Sequence, residues 1–119
     1  MKSFLKRSAA KFKYSFEGLF HGLRHDKSIR LQGLIALVVI AACLTLSLEL
    51  YEWILVLAMI LLVLAAEFIN STIEALCDKL YPNYHAEAKK IKDYAAAAVL
   101  LISLLAAIVG IAVIGGKLF

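Results

Sequence analysis

Three apolar blocks constrain this chain more than any other feature. They read "GLIALVVIAACLTLSL" from Gly33, "ILVLAMILLVLAA" from Ile54 and "AAAAVLLISLLAAIVGIAVIGG" from Ala95. A helix needs roughly 20 apolar residues to cross a bilayer core. The third block meets this outright, and the first does when Leu31 to Leu50 is counted. The second does only if its helix continues through Glu67 into "FINSTIEAL". In a chain of 119 residues, 63% of them hydrophobic, too little polar sequence remains to wrap three buried helices. The expectation is an all-α integral membrane protein with one domain over 1–119 and transmembrane helices at 30–50, 53–77 and 93–116. A long basic N-terminus without a small-residue cleavage site argues against a signal peptide.

Charge orients the spans. Lys2, Lys6, Arg7, Lys11, Lys13, Arg24, Lys27 and Arg30 precede the first block, and Lys79, Lys89, Lys90 and Lys92 lie between the second and third. The connection "ELYEW" after the first block has no basic residue. Lys/Arg excess marks cytoplasmic segments, so the N-terminus is expected inside and the C-terminus outside. Phe4, Leu5, Phe12, Phe16, Leu19, Phe20 and Leu23 recur at helical spacing. They predict an amphipathic helix on the cytoplasmic leaflet, with its turn, over 1–28. Gly18 and Gly22 are expected to break that helix ahead of the first span. Basic residues flanking a span, with no recognisable binding module, argue against nucleic acid as a partner. Cys43 and Cys77 have no metal-ligand spacing and read as packing thiols.

The second block ends unusually. On a helix, Glu67, Ser71, Glu74 and Asp78 share one face, with Asn70 at its flank. Carboxylates facing lipid are costly, so an acid such as Glu67 inside a span is a functional candidate. Acids alternating with Asn and Ser look like oxygen ligands for a hard divalent cation. Asp78 is equally well read as a solvated helix end pairing with Lys79 or Lys92. Lys92 and Asp93 open the third span, where a lysine is able to hold a phosphate. Lys89 and Lys90 read as topology determinants. His21, His25 and His85 show no ligand spacing, such as two on one helical face, and are taken as surface or structural residues. No glycine-rich phosphate loop or soluble-kinase catalytic loop is present.

The string Glu67-Phe68-Ile69-Asn70-Ser71-Thr72-Ile73-Glu74, followed by Asp78, Tyr84-His85 and Lys92-Asp93, resembles the prokaryotic diacylglycerol kinase family. These are small three-span membrane kinases, and the family includes the undecaprenol kinases of Gram-positive bacteria. The resemblance covers nearly the whole chain. It implies MgATP-dependent phosphorylation of a lipid alcohol by a homotrimer with shared active sites in the bacterial cell membrane. It implies Glu67 as general base, Asn70 as orienting group, and Glu74 with Asp26 as holders of Mg2+. Lys92 would meet the phosphates, and Arg7, Tyr14, Tyr84, His85 and Asp93 would line the nucleotide site. Arg30, Gln32 and Ser71, with Glu67, would face the lipid. Asp26 stands where the family usually has Glu, Gln32 where some diacylglycerol kinases have an acid, and Ala95-Ala96 where one branch has Gly-Ser.

Within that resemblance the acceptor is undecaprenol or diacylglycerol. The basic and aromatic run "KFKYSFEGLFHGLRHDKSIRLQG", with Gln32, looks more like the Gram-positive branch and favours undecaprenol. A non-enzymatic membrane protein or ion-pathway subunit is the competitor from another class. An ion path needs polar groups through the membrane, whereas here they gather at one end.

Overall fold

The computed structural model describes the whole chain, residues 1–119, as four helices without strands. They are α1 (Lys2–His25), α2 (Lys27–Leu44), α3 (Leu50–Leu80) and α4 (Ala86–Leu118). Helices α2, α3 and α4 are long and apolar enough to cross a membrane. Backbone hydrogen bonding explains the choice of element, because a helix satisfies every N–H and C=O internally where no water is available. The radius of gyration is 17.6 Å, against about 13.5 Å for a compact soluble domain of this length. Large side chains such as Leu101, Ile108 and Ile111 are more than half exposed. Their solvent is lipid, so the fold buries little of itself.

One residue separates α1 from α2. Asp26 is extended (φ −92, ψ 121), its N–H donates to the Gly22 carbonyl, and its Oδ1 accepts the Ile29 N–H at 3.0 Å. It ends one helix and caps the next. The turn thus falls at Asp26 rather than at the glycines: α1 runs unbroken through Gly18 and Gly22, contrary to expectation. Gly22 is the buried residue of α1, and a Cβ there would overlap the Phe68 ring of α3. Close approach of two helices, rather than chain flexibility, is what Gly22 supplies.

The other end is tied differently. α2 stops at Leu44, short of the expected 50, and Ser47 takes a left-handed conformation (φ 53) before Glu49 starts α3. Glu49 and Glu52 form a reciprocal capping box, and the Glu52 carboxylate also meets Lys117 Nζ at 2.9 Å. Below it, Cys43, Val56 and Val113 bring α2, α3 and α4 into one buried cluster. Cys43 is wholly buried and Cys77 nearly so, both free thiols packed as small hydrophobes. At the opposite end Lys92 of α4 pairs with Asp78 of α3. The α3–α4 pair is therefore an antiparallel hairpin with an ion pair at each end.

Candidate active site

The C-terminal half of α3 carries the stripe of acids, at the end where the α1–α2 junction reaches it. Helical period places Glu67, Asn70, Ser71 and Glu74 on one side of α3. Glu67 and Asn70 are only 6% and 8% exposed, Ser71 is half-buried, and Glu74 opens to the surface. Asn70 Nδ2 donates to Glu74 Oε1 at 3.1 Å. Because a carboxylate only accepts, this bond also fixes which way the amide points. Asn70 Oδ1 is left buried with no partner. A buried oxygen without a donor is costly, and here it stands beside two carboxylates.

Asp26 joins this stripe from the α1–α2 junction, where the Ser71 side chain of α3 meets its carboxylate. Desolvation pushes the Asp26 carboxyl up, but the Ile29 N–H, the Ser71 side chain and the Ser28 N–H together hold it below its ordinary value. The Gly22–Phe68 contact sets this approach, since Phe68 is next to Glu67 in the chain. Sequence reading missed that role, although a glycine on an otherwise bulky amphipathic helix was its signal.

The basic residues are partly engaged. Lys92 is held by Asp78, the pairing that sequence reading had weighed for Asp78, and Lys89 pairs with Asp93 at 2.6 Å. His85 Nδ1 accepts the Glu87 N–H at 3.1 Å as the cap of α4, and its ring lies against Tyr81. Tyr84 is exposed in the α3–α4 connection. Arg7 and Tyr14 lie exposed on α1, about 22 and 12 Å along its axis from Gly22 at ~1.5 Å per residue. Neither lies at the Gly22–Phe68 contact that brings α1 to α3. Arg30 Nη1 reaches the Arg24 carbonyl at 3.3 Å, and Gln32 borders a largely apolar groove of about 430 Å³ between α2, α3 and α4.

One histidine expectation fails. His21 and His25 lie four residues apart on the continuous α1, with ring centroids 4.5 Å apart. They do share a helical face, because the break expected between them at Gly22 does not exist.

For a metal, the available donors are hard oxygens: Glu74, the unpartnered Asn70 Oδ1 and Asp26. No ready-made set of three His, Cys, Asp or Glu side chains surrounds an ion position. A sparse oxygen set suits a small divalent cation that brings phosphate oxygens and waters with it.

Fold and site together define a small three-span membrane protein with an acidic polar site at one end of its helices. Residues 13–114 match the family model for prokaryotic diacylglycerol kinase. The chain is 33% identical over 107 residues to a diacylglycerol kinase of Haemophilus influenzae, covering 90% of this chain and 87% of the relative. It is 30% identical over 95 residues to a diacylglycerol kinase of Escherichia coli K12, covering 80% and 78%. The chain belongs to the prokaryotic diacylglycerol kinase family. It is an ATP-dependent lipid kinase of the bacterial inner membrane, and the family implies a nucleotide substrate with a metal ion.

Proposed function

We infer that this kinase, acting as one domain over 1–119, transfers the γ-phosphoryl group of MgATP to the hydroxyl of undecaprenol, giving undecaprenyl phosphate and ADP. The observation that carries the placement is the buried Glu67–Asn70 pair, with Asn70 hydrogen-bonded to Glu74, at one end of an apolar helix. A lipid alcohol keeps its hydroxyl at that depth while its chain stays in the bilayer.

Glu67 takes the hydroxyl proton as the oxygen attacks phosphorus and the bond to ADP breaks. Asn70 orients Glu74 through the observed hydrogen bond, leaving its own Oδ1 buried without a donor. Glu74 and Asp26 hold Mg2+, which when bound neutralises phosphate charge. Lys92 meets the phosphates, and Ser71, Arg30 and Gln32 face the lipid side. Positioning and charge compensation are most of what phosphoryl transfer demands of a protein.

The basic residues support an orientation with the N-terminus and the α3–α4 connection in the cytoplasm and the C-terminus outside. Arg7, Tyr14, Tyr84, His85 and Asp93 complete the nucleotide site in a homotrimer, where α1 of one copy reaches a neighbour's stripe. The distance of Arg7 and Tyr14 from the Gly22–Phe68 contact within one chain supports this sharing.

Gln32 supports undecaprenol, because a neutral amide replaces the acid of some diacylglycerol kinases. Diacylglycerol is the second reading, supported by the names of the relatives. Phosphate transfer by the purified protein in mixed micelles, with both lipids side by side and Glu67→Ala as control, tests the assignment. Glu67-dependent transfer to undecaprenol supports it, faster transfer to diacylglycerol replaces the acceptor, and transfer undiminished in Glu67→Ala removes the base.

A further inference from the structure

We propose that His21 and His25 form a bidentate surface site for a borderline transition-metal cation of the zinc, nickel and copper class, separate from the catalytic stripe. The two side chains stand four residues apart on the unbroken α1, one turn above the other. Their ring centroids are 4.5 Å apart and the rings are tilted by 43°. Two imidazoles sharing one tetrahedral ion at about 2.0–2.1 Å have ring centres roughly 5 Å apart. The observed ring separation is close to that of a chelating pair, on a helix that already fixes the spacing. Both residues are exposed, so water fills the remaining positions without rearrangement of the fold.

The chemistry separates this site from the catalytic one. Imidazole selects zinc, copper and nickel, whereas Mg2+ prefers carboxylate, carbonyl and water oxygens. His85, the third histidine, has its Nδ1 engaged in capping α4, and its ring lies against Tyr81. No third His, Cys, Asp or Glu completes a three-ligand set with the pair, which makes the site an open two-nitrogen chelate. Its position gives it a consequence. His25 is the last residue of α1, directly before Asp26, so a bound cation would clamp the final turn of α1 where Gly22 contacts Phe68. It would hold the α1–α2 junction in the arrangement that brings Asp26 to α3.

The test is a Zn2+ titration of the tag-free, full-length protein in detergent, without nucleotide and with excess Mg2+ to occupy oxygen sites. Nitrogen-15 histidine labelling follows all three imidazoles at once. Saturable shifts of the His21 and His25 signals with one Zn2+ per chain, His85 unmoved, are expected. The Zn2+ concentration needed to shift the remaining partner should rise at least tenfold in His21→Ala (read at His25) and in His25→Ala (read at His21), while His85→Ala leaves both titrations unchanged. A titration unaltered by His21→Ala, or shifts confined to His85, would overturn the proposal. Because both residues are exposed, the variants retain the fold, and unchanged helical circular dichroism checks this.

Discussion

Gly18 and Gly22 lie one helical turn apart on α1, and replacing each by alanine separates helix propensity from packing. Each substitution removes the same backbone entropy cost, a gain of about 0.5–1 kcal/mol in a helix. At Gly18 a new Cβ meets nothing within 4 Å, so Gly18→Ala should keep that gain. At Gly22 the Cβ would overlap the Phe68 ring and lie 3.2 Å from the Ile29 side chain, so α1 and α3 must part or the ring must swing away. Overpacking of this kind costs about 1–3 kcal/mol. Since propensity cancels between the two variants, Gly22→Ala should be less stable than Gly18→Ala by that same ~1–3 kcal/mol. The displaced ring adjoins Glu67, so kcat should fall in Gly22→Ala and stay at wild-type level in Gly18→Ala. Denaturation in mixed micelles, followed by helical circular dichroism alongside phosphate-transfer kinetics, reads both effects. Equal stability and equal kcat in the two variants would refute the contact and the positioning role drawn from it.

Three further outcomes are expected. Asp78→Asn should raise the KM for ATP several-fold with a smaller effect on kcat, because it frees Lys92 from the carboxylate that holds it; Lys92→Ala should raise it further. Asp26→Ala should cost about 0.5–2 kcal/mol at neutral pH through the lost cap. Because the folded carboxyl lies below its ordinary 3.8, its charged form stabilises above that pH, and denaturation curves of wild type and Asp26→Asn should converge as pH falls below it. Glu52→Gln or Lys117→Met should lower the thermal midpoint in detergent while leaving KM for ATP unchanged, since this ion pair closes the end of the hairpin remote from the stripe.

Much of the stripe is legible in the sequence. The period of a helix is enough to align Glu67, Asn70, Ser71 and Glu74, and the motif they form is specific within a span. What the period does not show is which of them is buried, or that Asn70 bonds Glu74 and leaves its own oxygen without a donor. Gly22 was misread because glycine's low helix propensity was given more weight than its other property, the absence of a Cβ. That single error also hid the His21–His25 pair, whose shared face exists only on a continuous helix.

The division has a physical basis. Apolar length and charge placement act through the solvent, residue by residue, so the linear sequence alone determines three spans, an amphipathic first helix and a polar end on the second. Contacts between segments distant in the chain depend on how the helices approach one another. Only the tertiary structure decided that Gly22 seats α1 against Phe68, that Asp26 both turns the chain and joins the stripe, and that Lys117 reaches back to Glu52.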